Sequence, residues 1–366
     1  GEEVFVEGRL PSIPTSNTIA AKLPLALQET PASVSVVSGE LIEDQGDAVL
    51  TDALRNVSGL NVQTGQGIFD YFVVRGVDSV TGAMILLDGT REPESSFYQL
   101  YNVDRIEVLK GPSSFVYGGS AMAGSINLVR RQPVAGRSLD VGVRAGSFAT
   151  FEADLDLNLA NEEGTWSFRL GSLWRESDGY RDDKENETWA INPIVNYRPN
   201  DKTSLNLAFE TVSLDFHPDA GLPITTLSQE VPDVPRERSY QTPFDFSDQE
   251  VDRIQFDLET WLGDRIVLRD KLYYRSLDWN SASTIFNATF PNFGGGLDIS
   301  RSLLELDDDQ DFLGNQLEAV MRLDSGGVEH NLLAGLELAR QEDVFDFDAF
   351  LLPSIDVFDP VETAQT

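Results

Sequence analysis

Beyond residue 136 the chain alternates apolar and polar residues over long stretches. In Phe151–Leu159 (FEADLDLNL), Phe151, Ala153, Leu155, Leu157 and Leu159 fall on one side, and Glu152, Asp154, Asp156 and Asn158 on the other. A period of two belongs to strands whose two faces meet different surroundings. Trp166–Trp174 (WSFRLGSLW), Leu205–Glu210, Ile254–Glu259 and Leu313–Arg322 repeat the pattern. It predicts about nine strands, near 137–146, 148–160, 165–177, 187–198, 202–213, 247–263, 265–279, 311–324 and 328–343. The predicted connections alternate in length. Asn161–Gly164, Pro199–Asp201, Gly263–Asp264 and Ser325–Gly327 are tight, whereas 179–186, 214–246, 280–310 and 344 onward read as long loops. Short turns at one rim and long loops at the other describe an outer-membrane barrel. A soluble sandwich also alternates, but its strands run nearer 5–6 residues, and these run to about 10 or more. Trp166 and Trp174 lie on the same apolar face, roughly 26 Å apart along the strand, close to the height of the band between aromatic girdles.

The first 134 residues read differently. Ser33–Ser38, Phe72–Val77, Met84–Leu87 and Val103–Leu109 are short, Val- and Ile-rich runs that predict strands. Ser38 precedes one short helix. Asp47–Val57 predicts another, with Val49, Leu50, Ala53, Leu54 and Val57 on one face and Gly59 as its stop signal. The fold class is an α+β domain followed by an antiparallel transmembrane β-barrel.

Charge and composition narrow the function. Net charge is −34, from 61 acidic against 27 basic residues, which repels phosphates and argues against nucleic-acid binding. The chain has no cysteine, so disulfides and thiolate chemistry are ruled out. No run of about 18 apolar residues predicts a spanning helix, which leaves spanning strands open. No secretory leader opens the chain and no closing strand ends it, so a mature or trimmed piece of a longer barrel is expected. No Ser-His-Asp arrangement, catalytic His pair or metal-ligand cluster stands out, and an enzyme is not expected. Asp307-Asp308-Asp309, with Glu305 and Asp311, lacks the Gly and terminal Glu of a calcium loop and reads as a solvated acidic loop. Gly118-Gly119-Ser120 lacks the Lys-Ser/Thr of a phosphate cradle.

Several segments resemble the plug of TonB-dependent receptors. These are Pro31–Glu40 (PASVSVVSGE), Leu50–Val62 (LTDALRNVSGLNV), Phe72–Val77 (FVVRGV, the "RG" strand), Leu86–Arg91 (LLDGTR) and, most specifically, Val103–Pro133 (VDRIEVLKGPSSFVYGGSAMAGSINLVRRQP). The last follows the siderophore-receptor branch almost position by position. The resemblance implies a TonB box and linker over 1–30, a plug over 31–134 and the N-terminal part of the barrel over 135–366, about nine of some 22 strands. Glu2–Gly8 resembles the box, so Glu3, Val4, Phe5 and Val6 would pair as an added strand with a periplasmic TonB-type energy transducer. The implied function is active import of a ferric siderophore across the outer membrane by a single chain lying in lipid, without a resident cofactor. Haem or cobalamin is the alternative cargo, and a passive porin-like channel is a weaker one. The resemblance also implies ligand contacts on apical plug loops, where Gln66, Tyr71, Gly82, Tyr98 and Tyr101 offer amide, aromatic and backbone groups to a chelate shell. Phe216 and Trp279, with His217 and Tyr273, would stand near the outer rim. Arg75 and Arg105 would pair with barrel glutamates and lock the plug.

Overall fold

A computed structural model describes residues 16–23, 25–65, 67–79, 83–92, 97–111, 114–117 and 123–363. The chain divides into two compact units, one of residues 1–64, 70–92 and 96–131, the other of 65–69, 93–95 and 132–366.

The first unit is α+β. After a short pair, β1 (Ser16–Asn17) and β2 (Leu25–Ala26), come β3 (Ser33–Ser38), α1 (Gly39–Gln45), α2 (Leu50–Leu54), β4 (Leu60–Gly65), β5 (Phe69–Val74) and β6 (Val77–Asp78). Then follow β7 (Ala83–Leu87), β8 (Thr90–Arg91), β9 (Val103–Lys110), a single turn α3 (Ser114–Tyr117) and β10 (Gly124–Arg130). The main sheet has the order β3-β9-β10-β7-β8, and β4, β5 and β6 form a second sheet. In the main sheet β10 pairs parallel with β7, and the other neighbours are antiparallel. The core joins Val37, Ile42, Leu50, Leu54, Val57 and Phe72 to Val74, Val103, Ile106, Val108, Ile126 and Leu128.

Local chemistry sets the elements. Ser38 caps α1 by accepting from the Leu41 N–H, and Gly46 ends it with φ 68°. The second helix is shorter than the predicted 47–57. Leu50 N–H donates to Tyr98 O and Leu100 N–H to Ala48 O, so the expected first turn is spent on an extended bridge. After Leu54 the bonds tighten to i→i−3 spacing through Val57. The Leu-Asp-Gly turn is also held in place. Asp88, at φ 50°, accepts from the backbone and guanidinium of the buried Arg130 at 2.9 and 2.7 Å. The predicted strand Phe72–Val77 breaks at Arg75-Gly76, which form the β5–β6 turn with φ 51° and 86°.

The second unit is a nine-stranded antiparallel sheet in chain order, a partial barrel. Its strands are β11 (Arg137–Ala145), β12 (Phe151–Ala160), β13 (Trp166–Ser177), β14 (Asn186–Asn200), β15 (Thr203–Phe216), β16 (Phe246–Leu262), β17 (Ile266–Pro291), β18 (Leu297–Ser325) and β19 (Val328–Asp356). The strand count matches the alternation, but two predicted loops do not exist. Residues 280–310 are the upper halves of β17 and β18 joined by a turn at 292–296, and β19 runs on well past residue 344. Asp307-Asp308-Asp309 lies within β18, not in a loop.

Burial on this sheet is the reverse of a soluble protein. Leu139, Val141, Val143, Phe151, Trp166, Trp174, Leu207, Phe209, Ile254, Phe256, Leu272 and Leu313 are exposed. On the other face Glu152, Asn158, Asn192, Glu210, Gln249, Arg253, Gln255, Arg275 and Gln316 are buried. A water-soluble sandwich would bury the first set, whereas an oily outer face with a polar inner one is the arrangement of a barrel in lipid. Trp166 stacks on Tyr197 of the next strand at 4.1 Å between centroids, at the rim of short turns. Among the described residues no helix is long and apolar enough to cross a membrane.

Candidate functional site

The residues expected to meet the partner, Glu3, Val4, Phe5 and Val6, lie outside the described residues, as do Gln66 and Gly82 of the expected ligand set. The others fall in different settings. Tyr71 is half-buried within β5, in a hairpin with β4 rather than in an open loop. Tyr98 packs against the core of the first unit, and its carbonyl accepts from Leu50. Tyr101 is half-buried in the turn that enters β9.

The two arginines of the expected lock stand in unlike places. Arg75 sits at the β5–β6 turn, and its Nη1 lies 3.3 Å from where a Cβ on Gly111 would stand. Gly111 itself has φ 127°, so the Lys110-Gly111 turn has both a conformational and a steric reason to be glycine. Arg105 lies on β9. Its Nε donates to Glu107 at 2.9 Å and its Nη1 to Asp104 at 3.0 Å. Arg105 therefore has carboxylate partners on its own strand. Glu107 is a residue that sequence reading passed over. It is fully buried, and a carboxylate in a central strand requires donors around it. Its signal in the sequence is a lone acid inside the apolar run Ile106–Leu109.

On the polar face of the second unit Trp279 is buried and gives its indole N–H to Ser247 at 2.9 Å. Trp279 is not at the rim, because β17 continues another 12 residues to Pro291. Tyr273 stands three alternations lower on the same face. Its ring lies over Gly314, the directly paired residue of β18, where a Cβ would come within 2.2 Å of Cζ. The ring stacks on Phe312 at 5.8 Å, and the hydroxyl reaches Glu337 of β19 at 3.0 Å. Tyr273 thus clamps three strands. Phe216 is buried at the end of β15, where the next residue, His217, donates its N–H to Glu185 O.

Two rim segments, 178–185 and 217–245, are knitted to each other and to the sheet. Arg181 pairs with Asp219 at 2.9 Å and also bonds Arg236 O, and Asp182 N–H donates to Glu237 O. Further along, Tyr240 Oη donates to Val357 O at 2.7 Å, and burial pushes this phenol's pKa up. Arg301, fully buried, donates to Tyr240 O, Pro353 O and both oxygens of Glu362. Tyr240, Ile299, Ile355 and Val357 form a small core there. Lys184 is buried in the first segment. Desolvation lowers its pKa, partly offset by Asp245, Asp219 and Asp183. The segment 217–245 is therefore built as a strut braced on the sheet of its unit.

Comparison with known proteins accounts for these parts. Residues 26–125 match the TonB-dependent Receptor Plug Domain. The catecholate siderophore receptor Fiu of Escherichia coli K12 is 26% identical over 98% of this chain and 50% of its own length. Residues 26–125 are thus a TonB-dependent receptor plug, and the chain as a whole is similar to siderophore receptors of that kind. The probable TonB-dependent siderophore receptor PiuA of Acinetobacter baumannii is 28% identical over 90% of this chain and 46% of that receptor. The crystal structure of Fiu in its closed form superposes with a TM-score of 0.86 at 25% identity, covering 97% of this chain and 53% of Fiu. The chain spans about half the length of the curated relatives it matches.

Proposed function

We propose that this chain is the plug and first part of the barrel of an outer-membrane receptor that imports a ferric siderophore, with a ferric catecholate as the first cargo to test. The observation that carries the reading is a plug over residues 26–125 joined to a sheet whose apolar face is exposed and whose polar face is buried. The receptor would bind the chelate outside, and a periplasmic TonB-type partner would pull on the Glu3–Val6 strand by β-augmentation. Binding and traction are then coupled through the plug. No bond is made or broken by this chain, so it acts as a transporter and not as an enzyme. The iron chelate is cargo rather than cofactor, and the receptor works as a single chain in lipid.

The test is growth of an iron-starved strain lacking its own receptors and carrying the full-length gene. It is fed ferric catecholates, ferric hydroxamates, haem or cobalamin. Growth on a ferric catecholate, lost when residues 2–8 are deleted, is the expected result. Growth on haem or cobalamin alone would change the cargo, and growth that ignores the deletion would refute TonB-type import.

A further inference from the structure

The segment ahead of β3 lies mostly before the residues that match the plug family, yet it is fastened to the plug sheet. Asn17 and Ile19 are buried. Asn17 Nδ2 donates to Thr30 Oγ1 at 2.8 Å, and β1 pairs with β2. The main attachment is Glu107. Its carboxylate accepts from Thr18 N–H at 3.2 Å on each oxygen, from Thr18 Oγ1 at 3.0 Å and from Ile19 N–H at 3.0 Å. Arg105 Nε supplies a further donor. Lys22 adds a weaker hold, with Nζ 5.4 Å from the centroid of the Tyr117 ring. Glu107 stands on β9, which is paired on both sides, to β3 at Val36 and to β10 at Asn127.

We propose that Glu107 is the clasp through which traction on the N-terminal segment enters the plug sheet. The inference rests on the importer reading for its purpose, but not for its geometry. A pull on residues ahead of Ser16 reaches Thr18 and Ile19 before it reaches β3. Those residues are held by charge-assisted bonds to one buried carboxylate. The load therefore falls on β9, in the interior of the sheet, and not on β3 at its edge. Glu107 is a positioning residue and touches no cargo.

A glutamine cannot replace it. Both carboxylate oxygens accept from donors, so either placement of the amide NH2 would set donor against donor. The test uses the full-length receptor in lipid with a pulling handle at Gly1. Held at Thr18, a stretched 17-residue leader reaches about 60 Å before force rises. In Glu107→Gln the first rise should move roughly 50 Å further out, to β3 at Ser33. Because a change in β9 can damage the plug itself, Thr18→Pro opens the clasp from the other side, removing one N–H and the hydroxyl. It should produce the same shift. An unmoved first peak in both variants would overturn the clasp, whatever the cargo.

Uptake gives the second arm. Surface binding of the ferric chelate should stay within about twofold while its uptake falls at least several-fold. A moved force peak with unchanged uptake would show a clasp that bears no working load, and would overturn the proposal while leaving the importer reading intact. Absence of uptake in the unaltered receptor would count against the importer reading alone.

Discussion

Asp245 offers a sharp test of how the rim is held. β16 begins at Phe246, opposite Ala282 of β17, but β17 continues to Pro291. From there on, the edge of β17 that faced β16 has no strand beside it, and bare edge amides must find other acceptors. Asp245, itself buried, supplies them. Oδ2 accepts from Thr284 N–H at 2.7 Å and from Gln241 Nε2 at 3.0 Å. Oδ1 accepts from Thr242 N–H at 3.2 Å, from Thr284 Oγ1 at 2.7 Å and from the Thr242 hydroxyl. Asp245→Ala orphans the Thr284 N–H, at about 1–3 kcal/mol, and leaves the Thr242 N–H only its longer bond to Thr284 Oγ1 at 3.3 Å, while the hydroxyls can turn to other partners. A cost of about 2–4 kcal/mol follows. Asp245→Asn should be nearly as damaging, because each oxygen faces a backbone donor and the amide NH2 must oppose one of them. Amide hydrogen exchange in the full-length receptor reads the effect directly. Thr242 and Thr284 should exchange about a hundredfold to a thousandfold faster in both variants, taking about 1.4 kcal/mol per decade. Thr242→Val, which loses only a hydroxyl, should cost about 1 kcal/mol. If Asp245→Asn protects these amides like the unaltered receptor, the argument from two opposed donors is wrong.

Gly314→Val drives the Tyr273 ring off β18 and should cost about 1–3 kcal/mol by overpacking. Thermal unfolding of the barrel, followed by gel mobility, should show a double variant with Tyr273→Ala that is less than additive. On the apolar face Asn315 Nδ2 donates to Asp270 Oδ1 at 2.8 Å, beside the exposed Leu272 and Leu313. Asn315→Leu strands that carboxylate and should destabilise the barrel by about 1–3 kcal/mol. Asp270→Leu should be neutral or stabilising in the same assay, and the reverse order would refute the pairing argument. Lys184 has a depressed pKa, so its neutral form is favoured in the fold. The associated stability is present above the usual value of 10.5 and is lost as pH falls through the depressed one. Lys184→Met should therefore raise the thermal midpoint at pH 7, with the gap to the unaltered receptor closing near pH 10. A gap that does not change with pH would refute it.

The sequence made some of this legible for identifiable reasons. Where one face met lipid and the other did not, as at Phe151–Leu159, the alternation was complete and the strand was found. The cap at Ser38 has local chemistry, so the start of α1 was readable. Failures came where distant partners decided the outcome. The bridge from Ala48–Leu50 to Tyr98–Leu100 shortened α2, and nothing within 47–57 announces it. Trp279 read as a rim residue because β17 was expected to end there. Glu107 was overlooked because its partners, Thr18 and Ile19, lie 89 and 88 residues away. Its neighbour Arg105 drew attention instead, as the more familiar charge.

The lost halves of β17 and β18 have one physical cause. The register places Phe209, Ile254, Tyr274 and Leu313 directly opposite one another across four strands. The next row on the same face is Thr211, Asp252, Ser276 and Asp311, and beyond it come Ser213, Glu250, Asp278 and Asp309. The outer face of these four strands thus changes from oily to polar and acidic within one alternation, at one level. A carboxylate above that level faces water or headgroups, where its charge costs little; below it the same group would face hydrocarbon. The strands themselves do not stop there. At about 3.3 Å per residue the 26 residues of β17 extend some 85 Å, far more than a bilayer core of about 30 Å requires. Above the boundary β17 turns Ser276, Asp278 and Asn280 outward and the buried Leu277, Trp279 and Ser281 inward, so the oily-outside period of two that marks the lower half is lost, and a paired strand looks like a loop. Much of the negative charge of the chain is placed by the same rule: it gathers where the sheet has left the lipid but continues as sheet.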